Sequence, residues 1–226
     1  MQSRAYLLIP HGRVRGIIAL VPRLLVIAIV AAGIVAGAAV ARHFWRADLA
    51  PPVLERAVLF AESRDMPEFE LVDQAGRPFT PARLDGRWTF LFFGFVNCPD
   101  VCPTTLATLA AVRRSLEDLP AVDRPAVTLV SVDPGRDTPD VLARHVAHFD
   151  PDFEGVTGSA ESIAKLTDGL GVAVIIGPPG PDGSYAVDHT AAVFLVGPDG
   201  RFAGLFGAPH DPGIIARDFR RIVAAR

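Results

Sequence analysis

Cysteine is scarce in this chain, with two among 226 residues. Small secreted scaffolds stapled by disulfides need several pairs, so a disulfide framework is excluded. Lysine is scarcer still: Lys165 stands alone against 21 arginines, which reads as genome composition rather than function. Twenty glycines and twenty prolines fall below the roughly 25–30% that marks low-complexity chains. Collagen, coiled coil and intrinsic disorder are therefore excluded. The first 46 residues contain six arginines and no acid, whereas the remainder holds 16 basic and 25 acidic side chains, a net of −9. That acidic remainder excludes nucleic acid as a partner, because neutralising phosphates takes clustered Lys and Arg. The chain has no internal repeat.

Charge is also missing from residues 24–41, LLVIAIVAAGIVAGAAVA. About 20 apolar residues cross the hydrocarbon core as a helix, so residues 16–41 are expected to form a single transmembrane anchor. Arg4, Arg13, Arg15 and Arg23 precede the span, and Arg42 and Arg46 follow it, with acids soon after. The arginine excess before the span places the N-terminus in the cytoplasm. The C-terminal part then lies outside, in the periplasm beyond a bacterial inner membrane. The rival is a cleaved signal peptide ending near Ala38-Ala39-Val40-Ala41, although its apolar region would be unusually long. No cysteine lies near the span, which excludes a lipoprotein anchor. The expected organisation is a cytoplasmic tail at 1–15, the anchor at 16–41, a linker at 42–65 and a folded domain at 66–226. Pro51 and Pro52 mark the linker, and residues 53–60 suit either a short helix or a strand. Some 160 residues suffice for one well-buried core.

The domain alternates strand and helix patterns. Residues 69–73 and 78–80, either side of a turn containing Gly76, predict a hairpin. The runs TFLFFGFV (89–96) and AVTLVSV (126–132) are continuous and apolar, as in strands buried on both faces. Between them a helix is expected over about 102–118. Its apolar stripe is Leu106, Leu109, Val112, Leu116 and Leu119, with Arg113, Arg114, Glu117 and Asp118 facing water. Further helices are expected at 139–148, with Asp137 or Thr138 as N-cap, and at 159–170. A strand at 172–176 leads into a proline- and glycine-rich loop at 177–184. Strands at 191–196 and 201–206 pair across Gly197-Pro198-Asp199-Gly200, and a last helix starts at Asp211-Pro212. Parallel strands joined by helices and closed by an antiparallel hairpin make an α/β sandwich.

The two cysteines fall where the first buried strand feeds the first helix, in Asn97-Cys98-Pro99-Asp100-Val101-Cys102-Pro103. If the helix starts near Pro99, residues at i and i+4 share one face, and both sulfurs meet the amide-rich, positive end that favours thiolate. Cα atoms at this spacing stand about 6 Å apart, within the reach of a disulfide. Two sulfurs at about 2.3 Å each can also grip one ion. Dithiol, disulfide and two-sulfur metal clip all remain open. A soft metal held by two thiolates takes imidazole as a natural third ligand. Of six histidines, His11 and His43 flank the apolar span. His145 and His148 lie i,i+3 on a helix, as on a solvated helix face or a small metal site. His210 suits a cap or surface position. His189, just before a buried strand, can reach the cysteines if that strand neighbours the first one. Two thiolates and an imidazole suit copper best, and zinc less well.

The segments Phe92-Phe93-Gly94-Phe95, Cys98-Pro99-Asp100-Val101-Cys102-Pro103-Thr104-Thr105-Leu106, Val130-Ser131-Val132-Asp133-Pro134 with Arg136-Asp137-Thr138-Pro139, Gly155-Val156-Thr157-Gly158 and Asp188-His189-Thr190 occur in this order. In these the sequence resembles the Sco/SenC family of membrane-anchored copper proteins over roughly residues 66–206. The resemblance implies a thioredoxin-like three-layer α/β sandwich with an N-terminal hairpin, preceded by a single transmembrane helix. It implies Cu(I) or Cu(II) held by Cys98, Cys102 and His189. It also implies delivery of copper to, or reduction of the thiols of, the binuclear copper site of cytochrome c oxidase. The partners implied are the oxidase's copper-bearing subunit and a copper donor or thiol reductant. Asn97, Phe95 and Gly135 depart from the family pattern, and none of them removes a ligand.

A membrane-anchored thiol–disulfide oxidoreductase is the alternative. Such enzymes usually carry CxxC and a cis-proline before a later strand, whereas three residues separate Cys98 from Cys102 and no proline stands in 188–190. A peroxidase requires threonine where Phe95 stands. Asp133, Arg136 and Asp137 read either as a helix cap with a loop salt bridge or as a docking rim at strand ends. Asp188 reads either as the acceptor of the second His189 N–H or as a turn residue.

Overall fold

Thr89–Gly94 is buried along its whole length, and the sheet is assembled on both sides of it. The structure, a computed structural model, describes residues 28–38, 40, 53–181 and 183–225. Residues 28–38 and 40 are helical, with Ile29, Ile34 and Val35 exposed. Among the described residues no helix is long and apolar enough to cross a membrane. The tail at 1–15 and the remainder of the expected anchor lie outside the described residues.

From residue 53 onward the strands are β1 (Ala57–Arg64), β2 (Leu71–Asp73), β3 (Pro78–Phe79), β4 (Thr89–Gly94), β5 (Ala126–Ser131), β6 (Glu154–Thr157), β7 (Val174–Ile176), β8 (Val187–His189), β9 (Val193–Val196) and β10 (Phe202–Phe206). The helices are α1 (Val101–Ser115), α2 (Pro139–Phe149), α3 (Ala160–Leu170) and α4 (Pro212–Ala224). Eight strands form one sheet in the order β1-β10-β9-β4-β5-β6-β2-β3, and β7 and β8 form a separate antiparallel ribbon. Only β4, β5 and β6 run parallel. Their connections carry α1 and α2, as crossovers between parallel strands require.

Alternation along β4 sorts the two faces of the sheet. Phe90 meets Phe219 of α4 edge-on at 5.2 Å, and Gly94, of the same parity, lies under Cys102 of α1. Leu142 and Val146 of α2 close over Gly155 on that face. On the opposite face Phe93 packs against Phe194 at 5.4 Å, and Val132 lines a hollow with Ile163 and Thr167 of α3. Helices thus cover both faces, which is the three-layer sandwich expected.

The hairpin β2–β3 forms as expected: Gly76 adopts φ +74°, and Asp73 accepts the N–H groups of Ala75 and Arg77, both at 2.9 Å. Helix α1 ends at Ser115, short of residue 118. Arg113 does not face water but is largely covered, pairing with Asp150 at 2.9 Å. The N-cap of α2 is Thr138, which accepts from Val141 N at 3.4 Å, and not Asp137.

Strands β6 and β8 were not expected, and the segment 53–60, which suited either a short helix or a strand, enters a strand that runs on to residue 64. Residues 57–64, assigned to the linker at 42–65, form β1 and pair with β10. As an edge strand β1 has no fully buried residue, and its apolar start, residues 57–61, runs into the polar Glu62-Ser63-Arg64. Gly204 permits its close approach, since a Cβ there would stand 2.2 Å from Val58 O. Strands β6 and β8, four and three residues long, are too short for periodicity to mark.

The chain entering β1 is clamped by buried Asp218 of α4. Its carboxylate accepts the backbone N–H groups of Glu55 at 2.9 Å, Arg56 at 2.8 Å and Ala57 at 3.0 Å. Burial alone would raise the Asp218 pKa, but these three N–H donors and Arg221 outweigh it and hold the carboxyl below its ordinary 3.8. Hydrogen bonds to a charged group contribute about 1.5–3 kcal/mol each. Asp218→Ala is therefore expected to destabilise the fold by about 3 kcal/mol, read as a lowered urea midpoint. A group whose pKa falls on folding stabilises above its unfolded pKa and loses that stabilisation as pH drops through the folded value. The difference between wild type and variant should therefore persist at neutral pH and shrink only below about pH 4. An unchanged midpoint at pH 7 would refute the clamp.

Candidate metal centre

Strand β4 ends at Gly94, and the chain turns at once, with Cys98 N donating to Phe95 O at 3.3 Å. Helix α1 then starts at Val101, so Cys98 precedes the helix while Cys102 is its second residue. Cys102 is buried and Cys98 half-buried, and both are free thiols. A Cβ on Gly94 would stand 3.0 Å from Cys102 Sγ and 3.1 Å from the Phe92 ring. The bare glycine lets the sulfur rest on the end of the central strand.

His189 is the last residue of β8. Its Nε2 lies 3.4 Å from Cys102 Sγ, and its Nδ1 lies 3.1 Å from Thr190 O. A carbonyl only accepts, so in the neutral ring Nδ1 carries the hydrogen and Nε2 turns its lone pair toward the sulfurs. The ring stands edge-on to Phe92 and Phe95, at 6.0 Å from each. Asp188 does not take the second ring N–H, because strand alternation sends it outward to solvent, and Thr190 O serves instead.

The Sγ atoms of Cys98 and Cys102 and a ring nitrogen of His189 all lie within 4.8 Å of one another, the one such cluster of three among the described residues. Ligand atoms bound at about 2.0–2.3 Å can stand no further than about 4.6 Å apart, so the three are within a small movement of enclosing one ion. The donor set, two sulfurs and an imidazole, is soft to borderline. His145 and His148 instead pack edge-on against Phe149 at 5.4 and 5.3 Å. His210 Nε2 donates to Ala191 O at 2.8 Å.

The charge state differs from the thiolate expected at a helix start. Burial pushes the Cys102 thiol far above the ordinary cysteine range, and the hydrogen bond with Cys98 raises it further. Desolvation here outweighs the helix terminus. Metal capture must therefore displace the Cys102 proton.

Behind the cysteines, buried Asp137 accepts Val96 N at 3.1 Å and the Ser131 hydroxyl at 2.7 Å. Burial raises its pKa. Asp133 pairs with Arg136 and accepts the Tyr185 hydroxyl at 2.6 Å. The loop salt bridge Asp133–Arg136 is present and the cap is Thr138, and the cluster bonds in addition to the cysteine loop and to the segment leading into β8. Tyr185 carried no motif signal, although it is one of only two tyrosines.

The SCO1/SenC family model matches residues 61–224. The chain belongs to the SCO1/SenC family. It is 39% identical over 158 residues to the mitochondrial SCO2 homolog of Bos taurus, a match covering 70% of this chain and 59% of that protein. The copper-bound structure of Bradyrhizobium japonicum ScoI is 38% identical and covers 70% of this chain and 98% of its own, with a TM-score of 0.62. Copper-bound Arabidopsis thaliana ScoI is 32% identical, covering 69% and 96%, with a TM-score of 0.64. The thioredoxin-like fold is thus that of SCO1/SenC proteins of known structure.

Unequal burial gives a test of the metal-free centre. In this SCO1/SenC protein Cys98 should react with iodoacetamide at least about tenfold faster than Cys102, because reaction requires both access and thiolate. Peptide mapping after a short pulse reads the ratio, and equal labelling would contradict the buried, protonated state of Cys102.

Proposed function

We propose that this protein binds copper through Cys98, Cys102 and His189. We further propose that it delivers copper to, or keeps reduced the thiols of, the binuclear copper site of cytochrome c oxidase during its assembly. The observation carrying this reading is the convergence of two sulfurs and the Nε2 lone pair from residues 87 apart in sequence. Relatives solved with copper bound support the choice of ion. Two sulfurs and an imidazole nitrogen converging on one point supply three donors for one ion, and the geometry favours the carrier on that ground. The partners proposed are the oxidase's copper-bearing subunit and a donor of copper or reducing equivalents. The arginine asymmetry and the apolar run at 24–41 support a single-pass anchor in a bacterial inner membrane with this domain in the periplasm.

The residues divide the work of binding. Cys98 and Cys102 supply sulfur, and His189 supplies a neutral nitrogen oriented by Thr190 O. Two thiolates with Cu(I) carry a formal charge of about −1, and with Cu(II) about zero, so either oxidation state is tolerable. Because Cys102 gives up a proton on binding, affinity rises with pH. If an external disulfide takes two electrons and is reduced to two thiols, Cys98 and Cys102 close into a disulfide, and both sulfur donors are lost together with release of the ion.

The test is titration of the reduced full-length chain with Cu(I), Cu(II) and Zn(II), followed through stoichiometry and sulfur-to-copper absorption. One copper per chain is expected in both oxidation states. Cys98→Ala and Cys102→Ala should each abolish tight binding. His189→Ala should cost about 100-fold in Cu(II) affinity and less than about tenfold in Cu(I), since two thiolates already satisfy a two-coordinate cuprous ion. Unchanged Cu(II) affinity in His189→Ala removes that residue from the site. Weak copper binding by fully reduced protein transfers the reading to thiol–disulfide exchange.

A further inference from the structure

The β7–β8 ribbon that carries His189 is not part of the main sheet. Its two strands pair only with each other, through Val174–His189, Ile175–Asp188 and Ile176–Val187. An isolated two-stranded ribbon is at best marginally stable in water, and Ile175 and Ile176 on β7 are 64% and 57% exposed. Val187 is buried in the core and Val174 packs against it, but neither is directed at the cysteine loop, so the position of His189 depends on further contacts. We propose that Asp133, Arg136 and Tyr185 form a latch that positions His189, by fastening the ribbon to the same 133–137 segment that fastens the cysteine loop.

Tyr185 lies four residues before His189, at the entry to β8. Its hydroxyl donates to Asp133 Oδ1 at 2.6 Å, and its ring lies 3.8 Å from the Arg136 guanidinium carbon. Arg136 Nη1 donates to Tyr185 O at 3.5 Å, and Arg136 Nε pairs with the other Asp133 oxygen. Both the hydroxyl and the backbone of Tyr185 are thus held by one ion pair, whose carboxylate is buried. A charged acceptor and a stacked guanidinium are among the stronger polar contacts.

The segment that holds Tyr185 is itself firmly set. The N–H groups of Arg136 and Asp137 both donate to Asp133 O, at 3.1 and 3.0 Å, which closes it into a tight turn. At one end Val132 N donates to Gly94 O at 2.9 Å, and at the other Asp137 Oδ2 accepts Val96 N, two residues before Cys98. One bracket therefore holds the cysteine loop on one side and the histidine ribbon on the other. The Phe95 ring joins the two sides, lying 6.0 Å from the His189 ring and 5.9 Å from the Arg136 guanidinium. Asp133, Arg136 and Tyr185 reach the ligands only through other residues, so their role is positioning.

The inference rests on the copper-binding reading for its cargo, but it concerns contacts present without metal, and the experiment has an arm for each. Tyr185→Phe keeps the ring over Arg136 and deletes only the donor. Arg136→Gln deletes both the ion pair and the stack, with Arg136→Lys as the conservative partial rescue. In the metal-free, reduced full-length chain, hydrogen exchange should quicken about tenfold at the amides of 187–190 in Tyr185→Phe and more in Arg136→Gln. Exchange in β4 should stay unchanged, and the His189 ring resonances should shift toward those of a solvated imidazole. In the copper arm the same variants should lose about tenfold in Cu(II) affinity, with an altered thiolate-to-copper spectrum, and keep Cu(I) affinity within about threefold. Arg136→Lys should recover part of both effects. Unchanged exchange and ring resonances would overturn the latch, as would faster exchange with an unaltered Cu(II) spectrum. A parallel loss in β4 protection and in both copper affinities would show general destabilisation and also overturn it. If wild type binds no copper, the function proposed above fails, while exchange and the ring resonances still decide the latch.

Discussion

The contact between His189 Nε2 and Cys102 Sγ joins two parts of the chain 87 residues apart, and the order of the sheet makes it possible. Strand β9 lies antiparallel beside β4, with Val193 opposite Phe92. Residues just before β9 therefore arrive beyond the end of β4, at the level of 94–96, where the cysteine loop begins. Strand β5 lies on the other side of β4 and runs parallel to it, with Ser131 opposite Gly94. Its continuation, the 133–137 bracket, must emerge at that same edge. Three loops thus converge because one strand has a parallel and an antiparallel neighbour. This is the crevice outside the carboxyl ends of strands where α/β sheets place their ligands.

The electrostatics follow from how tightly that edge is packed. The Cys102 sulfur sits against Gly94 and the core, and the loss of water there outweighs the favourable field of the helix start. Cys102 therefore keeps its proton until a cation arrives. A buried pair of thiolates without a cation would be costly. Holding the Cys102 proton until a cation replaces it avoids that cost. Buried Asp137 stands behind the cysteine loop under the same constraint, and its raised pKa has the same physical origin.

Sequence patterns carried the strands buried on both faces, the helix stripes and the spacing of the cysteines, since each has a periodicity or composition of its own. They carried less where tertiary contacts decide. Strand β1 is held by pairing with β10 and by the distant carboxylate of Asp218, neither of which leaves a local pattern. Strands β6 and β8 are too short to show alternation. Arg113 resembles a solvent-facing arginine in its stripe, but Asp150 comes from the end of another helix to cover it. Residue types left Asp188 open as acceptor or turn residue, and the direction of the strand gave the ring N–H to the Thr190 carbonyl, a backbone group that residue identity does not mark. Of the site, the candidate donors Cys98, Cys102 and His189 were legible and the bracket that sets their separation was not, because Tyr185 and Asp133 meet across 52 residues.

The centre therefore has two halves of different stiffness. Cys98 and Cys102 belong to the turn between a central strand and a buried helix, tied to neighbouring backbone through Phe95 O, Asp137 and the core. His189 belongs to a ribbon outside the main sheet, tied down through Tyr185 at one end and Thr190 at the other, where the Thr190 hydroxyl accepts Ala173 N at 2.9 Å. A cuprous ion needs only the stiff half, since two sulfurs complete a linear pair. A cupric ion requires more donors and hence both halves. The free energy that keeps the ribbon docked then enters the affinity for one oxidation state and not the other. On the proposed ligand set, a thioredoxin-like core that by itself supplies a dithiol would become selective between copper oxidation states through a few contacts outside its main sheet.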